Sequence, residues 1–455
     1  MESIENNENK IQKEETEISE SQKELNNKMK KIFLNSFQIK NLEEKTDILN
    51  KENSTKEDSK EEESQNKRQK YEDILNYKTD FNLKKFPKQF HLFYYKCKNP
   101  NVDKIVYRLG KILLFTYGKN FPKIINKKKK AYTSDTNWGC MLRCGQMILS
   151  HGIYRALKAK NIDTKNALYY TFSLFNNYPI KEDNLHKFFN GMLNKYNLLT
   201  KQEGETNIKK IDEFFPPFSI KTICEFAELS DRSAGEWFSD VIMTYIFKNI
   251  SEYYELFNNS NFNLKIMNFQ SCIEIQDILK ECFIVKKYEK GNENYVRLNN
   301  KFYFFDKMGI VFVNVRVGLK SIPKEYYKGI KELFNLKECI GIIGGKTRQA
   351  YYFIGYNDDE DSLLYLDPHE TKEDDKSINF NNILNKHIIK QAHFLKMSKM
   401  STGFTIGFCF RTYQEFLNLY EFWQKAKQST VPILGVVKQP IVVDIKHKDL
   451  EGDDF

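Results

Sequence analysis

No segment of this 455-residue chain approaches the roughly 20 consecutive apolar residues that a membrane-spanning helix needs. The acidic, Asn-rich N-terminus lacks the apolar stretch of a secretory signal, so a cytoplasmic location is expected. Cysteine is scarce: eight residues in the whole chain are too few for a disulfide scaffold. Cys97, Cys224, Cys272, Cys282, Cys339 and Cys409 stand singly among apolar neighbours, as small buried hydrophobes in a reducing compartment do. Cys140 and Cys144 lie close together, but without a second pair the spacing gives no zinc site. Neither a metal nor a cofactor is expected. A nucleic-acid motif is missing as well, despite a net charge of +10. Residues 1–70 hold 14 Lys/Arg and 17 Asp/Glu, so the positive charge belongs to the rest of the chain. There it is dispersed over amphipathic segments as solvated surface, and no nucleic-acid partner is expected.

What is present divides into three parts. Residues 1–80 are Glu, Lys, Asn and Ser with few bulky apolar side chains, a composition that cannot offset its ordering entropy and predicts a disordered arm. Within it, Tyr71-Glu72-Asp73-Ile74 has the aromatic-x-x-aliphatic form that can add as a strand to a partner's sheet edge. Residues 81–438 read as one folded domain, and residues 439–455 as a loose charged tail. In the domain, helices are expected over Cys140–Lys158, 168–175, 184–196, 239–257 and 413–427. Short apolar or aromatic runs at 302–305, 310–317, 339–343, 350–356, 363–366 and 404–410 are separated by Gly, Asp and Asn and predict strands. Helices first and sheet later predicts an α+β fold with segregated layers.

Two segments carry chemistry. In Thr133-Ser134-Asp135-Thr136-Asn137-Trp138-Gly139-Cys140 a polar turn feeds a glycine, and a cysteine then opens a helix. Read locally, Cys140 is either an ordinary buried cysteine or a nucleophile whose thiolate is favoured by unpaired N–H groups and the helix dipole. The same N–H groups suit an oxyanion, and Gly139 leaves room for a substrate backbone beside the sulfur. Of seven histidines, His151 lies three turns along the same helix and out of reach. His91 reads as core, while His186, His387, His393 and His447 sit in polar segments without an obvious partner. His369 differs, because Asp367-Pro368-His369 follows a strand. Asp367 can hold one ring nitrogen and leave the other for the thiol.

In these residues the chain resembles the autophagins, cysteine endopeptidases that process a ubiquitin-like modifier of autophagy. The resemblance rests on Thr133–Gln146, on Gly341-Ile342-Ile343-Gly344-Gly345-Lys346 with the Gln349–Gly355 strand, and on Tyr365-Leu366-Asp367-Pro368-His369. Arg316-Val317-Gly318-Leu319 and Gly235-Glu236-Trp237-Phe238 also match. It implies a papain-like fold with a small accessory subdomain, a monomer, and cleavage after the modifier's C-terminal glycine. The modifier would be a partner both free and conjugated to phosphatidylethanolamine, with peripheral contact to the membranes that carry it. It also implies Cys140, His369 and Asp367 as the catalytic set and Tyr117 on the oxyanion side. Trp237 would pack against a gating loop at Gly344, Gly345, Lys346 and Thr347 over the thiol. With such a modifier as partner, the strand-adding pattern makes Tyr71 and Ile74 candidates to dock it. The chain departs from the family at Asn137 (usually Gly), Thr347 (usually Pro), Ser239-Asp240 (usually Gly-Pro) and the inserted run Lys127–Lys130. A non-catalytic modifier-binding module and a papain-like deubiquitinase are the competing functions.

Overall fold

The short apolar runs of the second half pair into a ten-stranded sheet. The structure, a computed structural model, describes residues 86–98, 102–179, 215–428 and 433–436, with breaks at 255, 260–261, 289–293, 299–300, 375–386, 388 and 390–391. Apart from Pro179, these residues belong to one compact unit. The main path runs His393–Lys396, Ser362–Leu366, Gln349–Asn357, Cys339–Lys346, Gly403–Phe410, Met308–Arg316, Phe262–Gln270 and Asn258–Asn259. Neighbours are antiparallel except Met308–Arg316 and Phe262–Gln270, which run parallel. Gln89–Leu92 adds to Gln349–Asn357 and carries Tyr95–Lys98 as a hairpin partner. Met308–Arg316 is buried at every position but the last, which is why it reads as a continuous apolar run rather than an alternation.

One helix organises the packing. Cys140–Ala159 is buried along most of its length and lies on the strands at 339–346, 349–357 and 403–410. Gly152 permits this close approach, since a Cβ there would fall 2.7 Å from Ile310 Cδ1. Helices Thr164–Ser173 and Asp240–Tyr253 pack beside it. Tyr413–Gln428 packs on Gly403–Phe410 through the fully buried Trp423, whose ring sits 5.8 Å from Phe408. The α+β class and papain-like architecture are as the sequence predicts.

The order of elements needs correcting. Strands Tyr117–Ile125 and Ala131–Ser134 precede the central helix and, with Thr371–Glu373, form a separate three-stranded sheet. Lys127–Lys130 is the turn of that hairpin. Asn126 Oδ1 accepts from the N–H groups of Lys128 and Lys130, Lys127 faces Asp231 and Lys128 faces Glu236. The Tyr71–Ile74 motif, the helix predicted at 184–196 and the tail beyond 436 lie outside the described residues. No helix among the described residues is long and apolar enough to cross a membrane.

Candidate active site

The helix that opens at Cys140 has no side-chain cap at Gly139, so its first N–H groups have no intrahelical acceptor. The turn before it is held by Asp135. The Asp135 carbonyl accepts from the N–H groups of Trp138 (3.2 Å) and Gly139 (2.8 Å). Its carboxylate accepts from the N–H of Gly118 (2.6 Å) and from two nitrogens of Arg143 (2.8 and 3.1 Å). Arg143 also donates to Gln146 Oε1 (3.1 Å), and Gln146 donates to the carbonyl of Phe218 (2.8 Å). A Cβ at Gly139 would fall 2.3 Å from Asp135 Oδ2. The space expected there for a substrate backbone is therefore taken by Asp135, which corrects the sequence reading. Asn137 has φ +73°, a left-handed conformation that Asn tolerates better than most side chains, so its departure from glycine keeps the turn.

Asp367-Pro368-His369 follows the Ser362–Leu366 strand. The carbonyl of Pro368 accepts from the N–H of Tyr117 (2.9 Å), and Thr371 pairs with Tyr117 in parallel register. One strand thus fixes both Tyr117 and the turn that carries the imidazole. Asp367 Oδ1 accepts from the His369 N–H (3.0 Å) and bonds the ring Nδ1 (2.5 Å). The other nitrogen, Nε2, is buried and makes no hydrogen bond of good geometry among the described residues. Even so, the Cys140 thiol is near enough to act on the ring. Burial lowers the imidazole pKa, but the Asp367 hydrogen bond, the nearby Cys140 sulfur and the negative charge of both outweigh it and raise the value to about 9. Burial likewise opposes the Asp367 charge, and the bonds to His369 win, holding that carboxyl below its ordinary value.

Two tyrosines complete the surroundings. Tyr117 meets the His369 ring edge-on at 5.5 Å, and Tyr351 lies 5.6 Å away. Burial, and then the charge and hydrogen bonding of Cys140, push the Tyr117 hydroxyl up. Burial, Tyr365 and Asp367 do the same to Tyr351. Both stay protonated and able to donate. Cys144, one turn beyond Cys140 and fully buried, is held as a thiol by burial and then by the charge of Cys140 and Asp367. Tyr351 was read only as part of a strand, and Asp135 with Arg143 only as motif residues. The signal for the latter was present: Asp135 precedes the helix and Arg143 lies in its first turn, where a buried pair can form.

The remaining predicted residues are more scattered. Gly344, Gly345 and Lys346 are not loop but the end of the Cys339–Lys346 strand, with Lys346 opposite Gln349. The loop expected there is a two-residue turn, Thr347-Arg348, because a Cβ at Gly345 would fall 1.9 Å from the Gln349 carbonyl and glycine lets the hairpin close tightly. Trp237 is 45% exposed, two residues beyond Gly235, which abuts the Tyr132 hydroxyl. Two histidines read as lacking partners have them. His387 Nδ1 bonds the Leu114 carbonyl (2.9 Å), and His393 lies 5.6 Å from the Tyr365 ring.

An imidazole oriented by a carboxylate, a thiol at a helix start and nearby neutral donors form a set suited to acyl transfer through a covalent thioester. Among the described residues, no group of three or more His, Cys, Asp or Glu side chains is placed to hold a metal ion. Residues 102–422 match the peptidase C54 catalytic domain. The chain is 27% identical over 356 residues to the cysteine protease ATG4C of Xenopus laevis, covering 72% of each chain. It is 27% identical over 326 residues to human cysteine protease ATG4C, covering 66% of this chain and 67% of that one. With human cysteine protease ATG4A it shares 24% over 382 residues, 78% of this chain and 84% of that one.

Proposed function

Because the chain belongs to the peptidase C54 family, the autophagins, and is a cysteine protease of the autophagy pathway, we propose that it cleaves after the C-terminal glycine of a ubiquitin-like modifier. The same step at one glycine acyl group, with two different leaving amines, gives two outcomes: maturation of a precursor and release of the modifier from phosphatidylethanolamine. The observation that carries this reading is the Asp367–His369 pair, whose free ring nitrogen is influenced by the Cys140 thiol at a helix start. Cys140 Sγ attacks the glycine carbonyl carbon. Tyr117 Oη–H and the unpaired N–H groups at the helix start receive the oxyanion. His369 Nε2 gives its proton to the leaving amine, and water then hydrolyses the thioester with His369 as base. Asp367 keeps the Nδ1–H in place throughout.

Cys140 is fully buried, so no peptide carbonyl reaches the sulfur until something moves. The Thr347-Arg348 hairpin tip and the exposed ring of Trp237 are the elements assigned to that gate. The cytoplasm is the compartment proposed for the reaction. Incubation with a precursor extended beyond its glycine is expected to give a product ending at that glycine, and lipidated modifier on liposomes is expected to become soluble. A ubiquitin precursor cut equally well would point to a deubiquitinase instead. Binding without cleavage of any precursor would point to an idle module.

The pKa of His369 sets a pH test. The imidazolium persists up to about pH 9, so kcat/KM is expected to hold to that point and fall above it as the leaving-group proton is lost. In Asp367→Asn the alkaline limb is expected to move down toward the ordinary histidine value of about 6.5. A limb that stays near 9 in the variant would remove Asp367 from its role. Linkage gives stability the same sign. The raised histidine contributes fully below about pH 6.5 and loses its contribution as pH rises through about 9.

A further inference from the structure

Well away from the site, a cavity of about 270 Å³ opens where the Leu92–Tyr95 hairpin turn meets the far half of the central helix. Arg155 stands fifteen residues along that helix from Cys140, about 22 Å by helical rise. Five cationic side chains line the cavity: Arg108, Lys111, Arg155, Lys158 and Arg411. Among the described residues, none of those that line it is acidic. Arg411 is paired with Glu415 behind the wall. Arg155 donates to the carbonyls of Cys339 and Lys337, which occupy two of its five N–H groups at least. Arg108 lies over the Tyr95 ring and Lys111 over the Tyr107 ring, so neither charge is neutralised by its ring contact.

Three segments remote in sequence bring these charges together, and like charges in a half-buried concavity repel unless an anion sits among them. The wall is also shaped for a polar ligand. The Tyr94 and Tyr95 hydroxyls bond each other, and Phe93 holds the turn with φ +48°, a conformation rare for an aromatic residue and of the kind that persists at binding sites. Buried His151 forms the floor and stays neutral, because burial and then Arg155 lower its pKa to about 3.

We propose that this cavity binds a phosphate-bearing anion, held by the guanidinium groups of Arg108 and Arg155 with Lys111 and flanked by the Tyr94 and Tyr95 hydroxyls. Guanidinium forks match phosphate oxygens bidentately, and the volume admits a phosphate with a small polar body. The test is calorimetric titration of the full-length protein with pyrophosphate and with soluble inositol bisphosphate. Saturable one-to-one binding is expected, weakened at least tenfold in Arg108→Gln/Lys111→Gln and unchanged in Lys301→Gln. In wild type, pyrophosphate is expected to protect the amides of 92–95 and 151–158 from hydrogen exchange, a readout that does not depend on the variant folding. Sedimentation with phosphatidylcholine vesicles containing phosphatidylinositol bisphosphate, lost in the double variant, would make the source a lipid headgroup. Binding of the soluble ligands without sedimentation would make it a free metabolite. No saturable binding, protection confined to other segments, or equal affinity in a double variant that melts like wild type would overturn the proposal.

Discussion

Replacing Cys140 by Ala is expected to bring cleavage of a glycine-extended precursor to background, a loss in kcat/KM on the order of 10⁴-fold or more. The reason is chemical. Without the sulfur there is no thioester, and the neighbouring groups stabilise an attack that nothing delivers. Binding of the modifier is expected to survive, since Cys140 is fully buried and presents no surface to a partner. His369→Ala is expected to be nearly as severe, because the thiol then has no group to take its proton and the leaving amine none to receive. The double variant is expected to be no worse than either single one, as holds for residues acting as a unit. Asp367→Asn keeps the imidazole in place but weakens the hold on its Nδ1–H, for a smaller loss on the order of 10²–10⁴-fold. The measurement is kcat/KM on the precursor with binding followed separately. Full cleavage by Cys140→Ala would remove it from the mechanism. Equal loss of binding and cleavage would make the variant a folding defect.

The settings of these three residues are legible because each sits where local sequence determines its surroundings. A polar turn, a glycine and an amphipathic run place Cys140 at a helix start. An apolar strand ending in Asp-Pro-His places the imidazole two residues past a carboxylate, and the structure keeps that contact at 2.5 Å. Tyr351 was hidden by its surroundings. In Ala350–Tyr356 every residue is apolar, aromatic or glycine, so no alternation marks the face turned toward His369. The hairpin 117–134 escaped because Lys, Asn and Pro interrupt it and because its partner, Thr371–Glu373, lies some 250 residues away in sequence. Phe262–Gln270, for which no strand is predicted, alternates only as far as Ile266, since Met267 is buried as well. The tight hairpin at Lys346–Gln349 reads as a loop because glycines signal looseness in sequence, whereas in the fold they permit close backbone approach.

The second large effect is expected from a pair that performs no chemistry. Asp135 and Arg143 bond through two contacts with the carboxylate fully buried and the guanidinium 4% exposed. Burying two charges is expensive, and their attraction about offsets that cost only while both are present. Arg143→Met leaves a carboxylate in the interior with the backbone N–H of Gly118 as the remaining donor to it among these contacts. The expected destabilisation is about 3–5 kcal/mol, read as a fall in melting temperature of roughly 5–10 °C. Asp135→Asn strands the guanidinium, though Asp374 lies close enough to feel it: burial raises the Asp374 pKa and Arg143 opposes that rise. That second carboxylate makes Asp135→Asn the milder change for stability. Activity is expected to rank the two the other way. The Asp135 carboxylate also holds the Gly118 N–H and fills the space at Gly139, next to Cys140, so a shift of that side chain displaces the sulfur from His369, and small misplacements of reacting groups cost large factors in rate. The expected pattern is therefore crossed, with Arg143→Met losing more stability and Asp135→Asn losing more kcat at a temperature where both are folded. Combining the two changes should recover part of the lost stability, since neither charge is then stranded. Parallel losses of stability and kcat in both variants would mean that the pair supports the fold alone and does not position Cys140.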